Sequence, residues 1–73
     1  MIHKHSVVLS GHATSFCLED EFWEALKEIA QQKGIAIRQL LMQIDNMHTG
    51  NLSSAIRVYV LKEVKSEILH GYH

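Results

Sequence analysis

Proline is absent from this 73-residue chain, and cysteine occurs once, at Cys17. A lone cysteine excludes a disulfide within the chain. Without proline there is no fixed kink, which fits a molecule built from helices rather than long loops. No apolar run approaches the roughly 18 residues that cross a bilayer, so no membrane partner is expected. Ser6 is followed by only three apolar residues, Val7, Val8 and Leu9, too few for the core of a secretory leader. A single free thiol points to a reducing cytoplasm. An excess of charge is missing too: seven basic and eight acidic side chains leave a net charge of −1. No global basicity therefore announces nucleic acid.

Apolar residues make up 47% of the chain and charged residues 21%, which argues for a packed core rather than disorder. A chain of this size buries only about 60% of its unfolded surface, so a free-standing fold is marginal. Metal, unusually good packing or a second copy of the chain would each serve as a staple. The charge is unevenly placed. Glu19, Asp20, Glu21, Glu24 and Glu28 against Lys27 give residues 19–28 a local net of −4, and the remainder carries +3.

Residues 6–18, SVVLSGHATSFCL, are rich in β-branched and small side chains. Val7 and Leu9 are apolar at odd positions and Phe16 and Leu18 at even ones, with Gly11 at the change of parity. Side chains alternate faces along a strand, so either a bulge in one continuous strand or a hairpin corner is required. The bulge is the preferred expectation, with one strand over about 12–18. Acids at Glu19 to Glu21, an apolar stripe of Phe22, Leu26, Ile29 and Ala30, and Lys33-Gly34 at the end predict a helix over 20–33. Trp23 flanks the stripe as a core edge or subunit contact.

Ile37, Leu40, Leu41 and Ile44 predict a second helix over about 36–47, and Asn46-Met47-His48-Thr49-Gly50-Asn51 is turn chemistry. A third helix, capped by Asn51 or Ser53, is expected over about 53–69, with a frayed tail at His70-Gly71-Tyr72-His73. Between Ala55 and Leu61 only Arg57 and Tyr59 bear polar side-chain atoms. This pattern asks for burial on more than one side, which a partner chain can supply.

One strand cannot stand alone, because its backbone N–H and C=O groups would be unpaired. The economical remedy is a two-fold axis that pairs the strand with its own copy, antiparallel. Phe16 and Leu18 would face the helices while Ala13, Ser15 and Cys17 project outward. A two-stranded ribbon of that width fits the DNA major groove.

The run GHATSFCLEDEFWEALKEIAQQKGIAIRQLLMQID, with NLSSAIRVYVL after it, resembles short bacterial members of the ribbon-helix-helix superfamily over roughly residues 6–61. That superfamily includes the Arc and methionine repressors, which read DNA with a β-ribbon. The resemblance implies a mainly α fold with one short strand per chain. It implies an intertwined homodimer with a two-stranded antiparallel ribbon, here with an extra C-terminal helix. The dimer core would hold Phe16, Leu18, Phe22, Leu26, Ile29, Leu40, Leu41 and Ile44. Ala13, Ser15 and Cys17 would face bases, although Ala13 and Cys17 offer almost no hydrogen bonding. A phosphate anchor is expected at the N-terminus of the second helix beside Arg38, with Ser53, Ser54 and Arg57 as a secondary anion site.

Other chemistry is poorly served. His3 and His5 share a face in an extended segment, but no nearby Cys, Asp or Glu completes a tetrahedral metal set. Cys17 has no neighbouring base in sequence, Glu24 and Glu28 imply no pocket, and no phosphate-loop, dinucleotide or zinc-protease pattern occurs. No cofactor, no metal and no enzymatic activity are expected. The function expected is a DNA-binding protein, a small transcriptional regulator contacting DNA through the dimer ribbon and helix N-termini; a protein-interaction or adaptor dimer that keeps the fold without reading bases is the alternative.

Overall fold

The computed structural model describes residues 1–47 and 50–70, with side chains through residue 67. Two strands precede three helices: β1 (Ile2–Leu9), β2 (His12–Glu19), α1 (Asp20–Lys33), α2 (Ile37–Met47) and α3 (Leu52–His70). Met47 ends α2. Residues 48 and 49 of the expected turn, and the tail residues 71–73, lie outside the described residues.

The first strand corrects the expectation of a single strand per chain. β1 and β2 form an antiparallel hairpin from Ile2 opposite Glu19 to Leu9 opposite His12. Its two-residue corner is Ser10-Gly11, with φ of 52° and 79°. Positive φ at both central residues is the signature of a type I′ turn, whose twist matches that of the flanking strands. Gly11 takes this conformation without a Cβ penalty. The corner, not a bulge, makes the parity switch: opposed residue numbers sum to an odd value, so odd positions of β1 share a face with even positions of β2. The strand that was to be completed by its twin is completed within its own chain.

The inner face of the hairpin sends Leu9, Phe16 and Leu18 into the core, each no more than 2% exposed. They meet Leu26, Ile29 and Ala30 of α1, Leu40, Leu41 and Ile44 of α2, and Leu52, Ile56 and Val60 of α3. Phe22 is partly buried against this cluster. Every residue expected in a shared dimer core therefore packs within one chain. The His5 imidazole stacks on Trp23 at 4.2 Å and on Phe16 at 5.1 Å, closing the hairpin over α1.

Local chemistry sets the helix ends. Gly34 sits at φ 70° and its N–H donates to the Gln31 carbonyl, while the Ile35 N–H donates to Ala30, a Schellman closure of α1. At the start of α2 the Gln39 side chain accepts from the Ala36 N–H at 2.9 Å. Asn51 caps α3: its Oδ1 accepts from the Ser54 N–H and its carbonyl from the Ala55 N–H. No described helix is long and apolar enough to cross a membrane.

Candidate nucleic-acid interface

The ladder determines what each hairpin edge offers. The Asp20 N–H donates to the Met1 carbonyl at 3.1 Å, extending the ladder by one pair beyond Ile2 and Glu19. Hydrogen-bonded pairs alternate in an antiparallel ladder. The N–H and C=O groups of Ala13, Ser15 and Cys17 are therefore turned away from β1, and those of Ile2, Lys4, Ser6 and Val8 away from β2.

At Cys17 that outward edge is occupied. The Cys17 N–H donates to Ser53 Oγ at 2.9 Å, and Arg57 Nη2 donates to the Cys17 carbonyl at 3.4 Å. Arg57 Nε also donates to Glu19 Oε1 at 2.8 Å, with both side chains about one-third exposed. The Arg57 hydrogen bond holds the Glu19 carboxyl below the ordinary carboxylate range. Two of the three residues expected to form the secondary anion site thus clamp α3 to β2. Ser54 remains exposed, and its backbone N–H is taken by Asn51.

The outward side-chain face lies open. Ala13, Ser15 and Cys17 are exposed there, as expected, and β1 places Val8, Ser6 and Lys4 directly opposite them. Together with Arg38, the second residue of α2, this part of the hairpin frames a wide, shallow cavity of about 550 Å³ lined by Lys4, Ser6, Val7, Val8, Ala13, Thr14, Ser15 and Arg38. Its hydroxyls donate and accept; its two cations only donate.

Lys4 and Arg38 are in no ion pair among the described residues, unlike most of the other cations. Lys27 pairs with Glu24 at 3.1 Å, Lys33 with Glu63 at 3.5 Å, and Arg57 with Glu19. Asp20 is met by the Met1 amino group at 3.9 Å and by His3 at 3.3 Å. Glu19, Asp20 and Glu24 of the acidic run at 19–28 thus each have a partner.

Lys4 and Ser6 escaped the sequence reading, because a single strand was expected to begin near residue 12. The signal was the two-residue alternation in Lys4, Ser6 and Val8, which only a hairpin turns into part of the ribbon face. Among the described residues no three His, Cys, Asp or Glu side chains converge as a metal site.

A two-stranded ribbon leading into packed helices is the architecture of a ribbon-helix-helix domain. The chain belongs to that family, whose sequence model matches residues 2–64. No curated protein and no solved structure matches the chain.

Proposed function

We propose that this protein is a DNA-binding transcriptional regulator that works as a homodimer and lays the outward face of its hairpin against duplex DNA. One observation carries the reading: two unpaired cations, Lys4 and Arg38, flank an open cavity bearing the Ser6 and Ser15 hydroxyls on a two-stranded ribbon. A ribbon of this kind fits the major groove, about 12 Å wide, and cations at its margin meet phosphates. Membership of the ribbon-helix-helix family supports the same reading.

Ala13 and Cys17 contribute little to base readout, so Ser15 and Ser6 are the hydroxyls that reach base edges, while Lys4 and Arg38 neutralise phosphate. Ser54 is the one member of the expected secondary anion site left free to approach the backbone. Ser53 and Arg57 act indirectly, by fixing α3 against β2. The role is regulatory rather than enzymatic, and the lone thiol fits a cytoplasmic setting.

The poverty of hydrogen-bonding side chains at Ala13 and Cys17 favours one second reading, an adaptor dimer whose ribbon no longer reads bases. A fluorescence titration of mixed-sequence duplexes separates the two. Binding near ~50 mM salt that weakens steeply as salt rises is expected for DNA recognition; no binding at that salt refutes it.

A further inference from the structure

We infer that Val8, at the turn end of the hairpin's outward face, reads the 5-methyl group of thymine, with Ala13 beside it. This deepens the DNA-binding reading above and rests on it, naming the base-edge feature that the ribbon recognises. The register places Val8 directly opposite Ala13, Ser6 opposite Ser15 and Lys4 opposite Cys17. All six side chains are exposed, and Val8 is 52% exposed. These three pairs share no ladder hydrogen bond, since their N–H and C=O groups turn away from the neighbouring strand. Cα atoms in such pairs lie about 4.5 Å apart, so Val8 and Ala13 form one continuous apolar spot.

Base chemistry decides what that spot recognises. In the major groove guanine offers two acceptors, adenine an acceptor and a donor, cytosine a donor, and thymine an acceptor and a methyl group. Arg or Lys pairs with guanine, Asn or Gln with adenine, and a carboxylate with cytosine. The outward side chains of the hairpin, from the Ile2–Glu19 pair to Val8–Ala13, include no Asn, Gln or Arg. Their one carboxylate is Glu19, at the end away from the turn, and Arg57 Nε already donates to it at 2.8 Å. Lys4 lies two pairs from Val8 and is assigned, with Arg38, to phosphate. The Ser6 and Ser15 hydroxyls suit any base. The selective element that remains is apolar: Val8 against the only methyl group that the four standard bases present.

A single exposed valine is ordinary on a protein surface. Val8 differs in its setting, because it lines the same open cavity as the two unpaired cations. Cations held on phosphate would bring the apolar spot to the groove floor. The neighbouring Ala13, Ser6 and Ser15 are small, so nothing beside Val8 holds it off a base edge. Ala13 adds no hydrogen bond and serves only to widen the spot.

Fluorescence titrations of the full chain against paired duplexes test this. One duplex has mixed sequence; its twin carries uracil for every thymine, which removes the methyl group and keeps each hydrogen-bonding group. At ~50 mM salt the parent is expected to bind the uracil duplex about fourfold more weakly for each methyl contacted, the worth of one buried methylene. Val8→Ser, at an open position, is expected to keep its far-UV circular dichroism and to lose most of that difference. Should Val8→Ser lose structure, Val8→Ala decides by the same reading. Methylating cytosine C5 in the uracil duplex separates two sources of the same group, and either result upholds the contact. Recovered affinity extends it to 5-methylcytosine, and no recovery confines it to thymine. Equal binding of the thymine and uracil duplexes by the parent overturns the methyl contact and leaves the DNA-binding reading standing. Undiminished discrimination in the folded variant also overturns it, by placing the contact elsewhere. No binding of either duplex at that salt overturns both readings.

Discussion

Replacing Lys4 by alanine tests the ribbon face most directly, because salt dependence counts the phosphates a protein neutralises. Two free cations border the cavity of each chain, Lys4 and Arg38, so a dimer brings four to the duplex. With a slope of about −0.9 per phosphate contact, the logarithm of affinity falls with that of salt at about −3.6, a loss of roughly 150-fold between 50 and 200 mM. Lys4→Ala halves the count, to a slope of about −1.8 and a loss of roughly 12-fold. The matched control is Lys27→Ala, which removes the same formal charge from a lysine engaged by Glu24 at 3.1 Å on α1. Its slope is expected to stay at the parent value. Anisotropy titrations of one labelled duplex at several salt concentrations give all three slopes. An unchanged slope for Lys4→Ala, or equal flattening by Lys27→Ala, would refute the assignment: the first removes Lys4 from the interface, and the second reduces the effect to bulk charge.

Two further outcomes follow from the packing. Phe16→Ala, at a ring 2% exposed that bridges β2 to α1, is expected to cost about 3–5 kcal/mol, read as a fall in the urea midpoint; a loss under 1 kcal/mol would place Phe16 outside the core. Glu19→Gln removes a carboxylate whose folded pKa is lowered by Arg57, and such a group stabilises the fold above its unfolded pKa of about 4.3 and loses that contribution as pH falls through the lower folded value. The variant is therefore expected to melt below the parent at pH 7 and alongside it at pH 3, and an equal gap at both would exclude the ion pair as the cause.

The helical part of the fold was legible because its signals are local. Asp20, Glu21, the Phe22-Leu26-Ile29 stripe and Gly34 are each interpretable within one or two turns of α1, and its bounds agree with them. At the hairpin the parity switch recorded that something happens near Gly11, but a bulge and a corner leave the same trace in side-chain alternation. Ser-Gly is also a weaker turn signal than Asn-Gly, since serine seldom takes a positive φ, and Ser10 is the one described non-glycine residue that does so. Without that corner the first five residues read as a terminus instead of half a ribbon, and a partner strand must come from another chain. The engagement of Ser53 and Arg57 with β2 was hidden for a different reason. Their partners are a backbone N–H and a carboxylate 36 and 38 residues away, a contact that no local pattern contains.

Pairing also decides how the net charge of −1 bears on function. A sum over the chain weighs Arg57 and Arg38 equally, yet Arg57 is held between Glu19 and the Cys17 carbonyl, while Arg38 stands at an open cavity with Lys4. The acids concentrate at the start of α1, where the helix dipole favours them and where Met1, His3, Lys27 and Arg57 answer them. A duplex approaching the ribbon, as proposed, would therefore meet local positive charge on a molecule that is slightly acidic overall. Attraction of this kind is short-ranged, decaying within about 8–10 Å at physiological salt, so it favours docking at the ribbon over long-range capture. On the proposed reading the affinity would come from few contacts, and doubling them through a dimer would bring phosphate neutralisation into a useful range.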